Sequence, residues 1–126
     1  MVAPPRALYR AWTEGFDLWF AAPGTVSMRP VVDAPYFFEA RFGDGRHPHY
    51  GRFLRLEPHG LVEMTWVTAE TTGVETIVSV ELDPEGSGTR LLLTHTGFPN
   101  QASRDRHDNA WPIVLAQLDE RVRTTE

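Results

Sequence analysis

The sequence of 126 residues contains neither cysteine nor lysine. Without cysteine the protein has no disulfide, no thiolate nucleophile, no iron–sulfur cluster and no cysteine zinc site. Without lysine it has no Schiff-base amine and no lysine of the P-loop type. All twelve basic residues are therefore arginine, which we interpret as the codon bias of a GC-rich bacterial genome. Acid–base or ionic chemistry is left to histidine, arginine and the carboxylates.

An excess of positive charge and long apolar runs are also missing. Seventeen acidic residues outnumber the twelve basic ones, and the formal charge is −5. This balance argues against a nucleic acid or an anionic membrane as partner. No apolar run approaches the roughly 20 residues of a membrane span, and the segment Met1–Arg6 has no apolar core of a signal peptide. We therefore expect a single domain over residues 1–126, located in the cytoplasm.

The spacing of apolar residues changes from a helical period to a period of two and back again. A first helix is predicted after Pro4, because Ala7, Leu8, Ala11 and Trp12 recur at helical spacing. A long amphipathic helix is predicted after Gly97. Between the two helices, short turns separate about six predicted antiparallel strands, at residues 25–32, 36–42, 50–57, 61–68, 74–82 and 89–96.

Two short segments between these elements bear on the site. The segment Gly43-Asp44-Gly45 is predicted to form a hairpin turn. The segment His47-Pro48-His49 is interpreted as a solvated loop end. We predict no metal site there, because zinc needs three or four ligands and no third ligand is evident nearby.

These elements indicate an α+β fold. One face of an antiparallel sheet must be covered, and the last helix is the only element long enough to cover it. If the sheet curls around that helix, a cleft forms between the two.

Several strings of residues resemble a known family. They are Arg6-Ala7-Leu8-Tyr9-Arg10-Ala11-Trp12-Thr13, His49-Tyr50-Gly51-Arg52-Phe53, Leu61-Val62-Glu63-Met64-Thr65-Trp66, Gly88-Thr89-Arg90-Leu91-Leu92-Leu93-Thr94-His95 and Asn109-Ala110-Trp111. With them the chain resembles the START-like (SRPBCC) superfamily, and within it the family of homologues of the activator of the 90-kDa heat-shock protein ATPase. The resemblance implies a helix-grip (Bet v-like) fold with a hydrophobic cavity. Members bind lipids, hormones or polyketides, some are cyclases, and some serve stress responses or chaperones.

The family begins with a strand before its first helix, whereas only Met1-Val2-Ala3 precedes Pro4 here. We therefore expect the first strand of the family to be missing, either because the sequence starts after that strand or because the protein lacks it. Unpaired backbone groups on the neighbouring strand would then be open to a partner chain, which predicts a homodimer.

Candidates for the cavity wall combine aromatic, aliphatic and polar side chains. His95 and His107 are candidate proton donors or hydrogen-bonding groups. Arg52 is a candidate because it shares a strand face with Leu54, and a buried arginine needs a carboxylate or an anionic ligand. The full set of candidates is Trp19, Phe38, Arg52, Leu54, Trp66, Val78, Leu93, His95, Phe98, His107 and Trp111. Core packing and ordinary structural hydrogen bonds are the competing interpretation for each of them.

The leading hypothesis is a protein that binds a hydrophobic or aromatic small molecule without a cofactor. One alternative is an enzyme of the polyketide cyclase or aromatase type, using His95, His107 or Arg52 for proton transfer. Another is a protein-interaction role as a chaperone accessory, which needs an exposed apolar patch. No nucleophile motif is present, so we favour a binding protein over an enzyme.

Overall fold

A computed structural model describes residues 1–42 and 45–125 and is built around one antiparallel sheet. The sheet has five strands in sequential order: β1 (Pro35–Phe42), β2 (Gly45–Glu57), β3 (Leu61–Trp66), β4 (Thr76–Glu85) and β5 (Gly88–Thr96). Helix α1 (Pro5–Thr13) precedes the sheet, and helix α2 (Gln101–Thr125) follows it. Single turns of 3-10 helix lie at Phe16–Leu18 and Ala69–Thr71. The predicted α+β class, with a long C-terminal helix on an antiparallel sheet, is confirmed.

The structure has five strands where the sequence predicts about six. Residues 25–32 form a single bridge, between Ser27 and Phe37, rather than a strand. Pro30 lacks the backbone donor that a ladder needs, and Asp33 has a φ of 68°, which ends the extended conformation. Of the predicted turn at 43–45, Gly43 and Asp44 lie outside the described residues.

Strand β2 begins at Gly45, five residues before its predicted start at Tyr50. His49 pairs with Phe38 and His47 pairs with Ala40 across the β1–β2 ladder. The interpretation of His47-Pro48-His49 as a solvated loop end is therefore wrong, because these residues are strand residues and His49 is buried. This correction brings an imidazole into the interior.

The core lies between the sheet and the two helices. Helix α1 packs against β3, β4 and α2, and its predicted apolar face is buried. Helix α2 starts with a cap in which Asn100 Oδ1 accepts a hydrogen bond from the Ser103 backbone N–H at 2.8 Å. The long amphipathic helix predicted after Gly97 is α2, and Trp111, Leu118 and Val122 on its inner face are buried. None of the helices in the described part of the chain has the length and apolar character to cross a membrane.

Strand β5 forms one edge of the sheet. The Met1 amino group donates to the Thr89 carbonyl at 2.6 Å, and the Thr89 backbone N–H donates to the Met1 carbonyl at 2.9 Å. Within residues 1–42 and 45–125, no strand precedes α1, and β5 has no strand neighbour on its outer side beyond this contact. The edge from Leu91 to Thr96 is therefore open.

Candidate functional site

A cavity of about 380 Å³ lies between β2, the 3-10 turn after β3 and the first half of α2. Its volume falls within the range of roughly 300–1,000 Å³ that is usual for small-molecule sites. The apolar part of its wall is formed by Phe20, Pro48, Trp66, Ala69, Ala110, Trp111 and Val114. The polar part is formed by Arg46, His47, His49, Thr68, Glu70, Arg106 and His107. Three aromatic rings and three imidazoles thus surround the space.

His49 stands in an aromatic setting on β2. Its ring stacks on Phe38, with centroids 4.7 Å apart, and meets Phe20 and Trp66 edge to face at 5.4 and 5.0 Å. His49 Nδ1 lies 2.8 Å from the His47 carbonyl oxygen, which can only accept. Nδ1 therefore carries the hydrogen, and Nε2 of the neutral ring is an acceptor. Burial lowers the pKa of His49 to about 4, because the charged ring would lose its hydration.

His107 presents the same arrangement from α2. Its Nδ1 lies 2.8 Å from the carbonyl of Ser103, one helical turn earlier, so Nδ1 carries the hydrogen and Nε2 is again an acceptor. Ser103 is fully buried, and its hydroxyl donates to the Glu70 carbonyl at 2.6 Å. This bond ties the start of α2 to the 3-10 turn on the other side of the cavity and fixes where the imidazole stands.

His95 is held differently, with both ring nitrogens engaged. Trp111 Nε1 donates to His95 Nδ1 at 3.1 Å, so the ring hydrogen is on Nε2. His95 Nε2 then donates to the Thr76 hydroxyl at 2.7 Å, and that hydroxyl donates to the Trp66 carbonyl at 2.6 Å. Burial, followed by the nearby His107, lowers the pKa of His95 to about 3. The network holds His95 neutral and holds the indole of Trp111 in the cavity wall.

Two arginines of the wall are already paired with carboxylates. Arg106 Nε lies 2.6 Å from Glu70 Oε2, which joins α2 to the 3-10 turn. Arg46 makes a bidentate pair with Glu39, at 2.8 and 3.2 Å. The guanidinium groups are exposed, and the carboxylates balance their charge. Across the described residues, no three histidine or acidic side chains come close enough together to hold a metal ion.

The structure brings three of the predicted cavity residues, Trp66, His107 and Trp111, into the cavity wall. His95 and Phe98 stand behind the wall, with the Phe98 ring 4.3 Å from His95 and 5.0 Å from His107. The other apolar candidates belong to the core or its margin rather than to the wall: Trp19, Phe38 and Val78 are fully buried, and Leu93 packs at the margin of the core.

Arg52 and Leu54 do not line the cavity either. Arg52 alternates with Phe53, whose side chain is fully buried, so Arg52 points to the other face of the strand. It is 47% exposed and lies 3.4 Å from Asp33. The structure therefore places Arg52, a candidate for the cavity wall, on the solvent face, which is the competing interpretation of this residue. Leu54 is half-buried at a register shift between β2 and β3.

His49 and Phe20 are the main wall residues outside the predicted set. A signal for His49 exists in the sequence. Counting back by two from Phe53 through Gly51 reaches His49, so extending the predicted strand beyond Tyr50 places the imidazole on the buried face. Phe20 has no such signal, because it follows a 3-10 turn whose direction depends on the core.

A family model described as "Activator of Hsp90 ATPase homolog 1-like protein" (AHSA1) matches residues 2–123. The chain belongs to this family. The predicted family resemblance is thereby confirmed. No curated protein matches the chain.

Solved structures with the AHSA1 fold resemble the chain over nearly its whole length. The AHSA1 protein from Silicibacter pomeroyi has a TM-score of 0.80 at 21% identity, over 100% of this chain and 94% of that one. The Aha1 dimer from Colwellia psychrerythraea has a TM-score of 0.68 at 24% identity, over 94% and 87%. CalU16 from Micromonospora echinospora has a TM-score of 0.70 at 24% identity, over 97% and 71%. At these identities the likeness establishes the fold alone.

Proposed function

We propose that this AHSA1 protein binds a hydrophobic, aromatic small molecule in the cavity between β2 and α2. The observation that carries the proposal is the open cavity of about 380 Å³ walled by Phe20, Trp66 and Trp111. Ligand sites are mostly apolar, with a few placed polar groups that orient the ligand. A wall of aromatic rings interrupted by His49 and His107 has this composition.

The two alternatives have weaker support. For an enzyme of the cyclase type, the candidates for proton transfer are His95, His107 and Arg52. Only His107 remains available, because Arg52 is on the outer face and both ring nitrogens of His95 are hydrogen-bonded within the protein. A chaperone-accessory role would be favoured by a cavity filled with side chains, whereas this cavity is open. The cytoplasmic location and the small-molecule partner predicted from the sequence remain part of the proposal.

Ligand capture tests the proposal directly. Thermal shift and tryptophan fluorescence titration with a library of apolar aromatic compounds and with host metabolites should find compounds that stabilise the protein. Ala110 lies in the cavity wall and is solvent-accessible, so Ala110→Trp should fill the cavity and remove binding. Ile113 lies on the same helix and is 71% exposed, so the control variant Ile113→Trp should still bind the compounds. The proposal fails if no compound binds, or if Ala110→Trp binds as well as Ile113→Trp.

A homodimer is the second part of the proposal. The relative from Colwellia psychrerythraea is described as a dimer, and the edge of β5 from Leu91 to Thr96 is open here. An open edge is a template for pairing with another strand, and two copies pairing there would form one continuous sheet. Light scattering behind size-exclusion chromatography should give twice the chain mass at high concentration. A monomer mass at every concentration would contradict the dimer.

A further inference from the structure

We infer that the cavity takes an uncharged aromatic molecule whose hydroxyl group donates a hydrogen bond to Nε2 of His49 or His107. The inference rests on the proposed function and specifies the chemical class of its ligand.

The first step concerns the hydrogen-bonding groups that the wall leaves open. His49 and His107 both commit the Nδ1 hydrogen to a backbone carbonyl, at 2.8 Å in each case. Both rings line the cavity, and no described residue is hydrogen-bonded to either Nε2 atom. A neutral imidazole nitrogen without hydrogen is an acceptor only. The ligand that satisfies it must therefore carry a donor, such as a hydroxyl group.

The second step excludes a charged ligand. A carboxylate would face the lone pair of His49 Nε2, and burial among Phe38, Phe20 and Trp66 resists the protonation of His49 that would relieve the repulsion. The two arginines of the wall are paired with Glu39 and Glu70, so neither is left over for an anion. Because Glu70 is paired with Arg106, its carboxylate is also not left over to bind a cationic ligand. An uncharged ligand avoids the repulsion between a carboxylate and the His49 lone pair, and it avoids burying a charge without a partner.

The third step concerns the carbon skeleton of the ligand. Trp66 and Trp111 are 5.4 Å apart at an angle of 52°, and Phe20 lies parallel to Trp66 at 6.4 Å. Aromatic faces and edges at these angles favour a planar ring as partner. The hydrogen bonds of His95 hold Trp111 in place before any ligand arrives. A preformed aromatic wall loses less conformational entropy when it binds a rigid ring.

Three probes that share one ring system test the inference on the wild-type protein. Naphthalene has no polar group, 2-naphthol adds a donor that stays protonated at pH 7.5, and 2-naphthoate adds a negative charge. Isothermal titration at pH 7.5 should show 2-naphthol binding about 3- to 10-fold more tightly than naphthalene, the effect of one hydrogen bond. The 2-naphthoate anion should bind more weakly than naphthalene.

Variants identify the acceptor. At least one of His49→Phe and His107→Phe should lower the affinity for 2-naphthol to that for naphthalene, while naphthalene still binds. His59 is the matched control, because it lies outside the cavity and its φ of 66° suits asparagine. His59→Asn should keep the preference for 2-naphthol.

The outcomes separate the two levels of the proposal. If naphthalene binds but 2-naphthol binds no better, if 2-naphthoate binds best, or if both histidine variants keep the preference, the hydroxyl inference is wrong and the proposed function stands. If none of the three probes binds to the wild-type protein, the hydroxyl inference is wrong, and the library screen decides the proposed function separately. The wild-type comparison needs no variant, so a variant that fails to fold leaves the test intact.

Discussion

Acidification should destabilise the fold through His49. The pKa of this imidazole is about 4 in the folded protein and near 6.5 in an unfolded chain. Below pH 6.5, His49 is therefore protonated in the unfolded chain but stays neutral in the folded protein. The free energy of unfolding falls as a result. The stabilisation is fully present above pH 6.5 and is lost as the pH falls towards 4.

The magnitude follows from the size of the shift. Each pKa unit corresponds to about 1.4 kcal/mol, so His49 should lower the free energy of unfolding by about 2 kcal/mol between pH 7.5 and pH 5. His95 has its pKa lowered to about 3 and acts in the same direction. It is half-buried, so after a discount for solvent screening it adds about 1 kcal/mol. A loss of about 3 kcal/mol is large beside a usual total of about 5–15 kcal/mol.

Urea denaturation followed by tryptophan fluorescence at pH 7.5 and pH 5 measures this loss. The wild-type protein should lose about 3 kcal/mol on acidification. His49→Phe keeps an aromatic ring against Phe38, Phe20 and Trp66 and should lose only about 1 kcal/mol, whereas the control His59→Asn should lose as much as the wild-type protein. Equal free energies of unfolding at the two pH values, or the same acid loss in His49→Phe as in the wild type, would refute the reasoning.

Three further substitutions test the packing and the mouth of the cavity. Gly51→Ala would place a Cβ against the Thr65 carbonyl and hydroxyl oxygens of β3, and the forced shift of the strand should cost about 1–3 kcal/mol in urea denaturation; an unchanged midpoint would contradict this. Leu118→Ala removes a fully buried side chain and should cost about 2–5 kcal/mol by the same measurement. Arg106→Ala breaks an exposed ion pair with Glu70 and should cost less than about 1 kcal/mol in calorimetry; a larger loss would show that the pair holds α2 to the 3-10 turn.

The local periodicity of apolar residues is sufficient to predict most of the fold. The helical spacing of the first helix and of the last helix predicted α1 and α2 and their buried faces, because that spacing reports which side of a helix faces the core. The strand predicted at 25–32 failed because a proline and a left-handed residue, Asp33, prevent continued pairing. The alternation of apolar side chains does not show whether a segment pairs along its whole length with the next strand. Residues 25–32 pair with β1 at a single bridge, yet their sequence pattern is that of a strand.

The candidate site was harder to predict, because its properties depend on partners distant in the sequence. In the sequence, His95 and His107 are equivalent candidates, each on a face with apolar neighbours. The structure separates them by hydrogen bonding: Trp111 and Thr76 occupy both nitrogens of His95, while the Ser103 carbonyl occupies one nitrogen of His107. A histidine with two protein partners can only support the wall, whereas one with a single partner still has an acceptor for a ligand. That difference is a property of the β4–β5 register and of the position of α2, and it makes His107 and His49, rather than His95, the residues to test for ligand recognition.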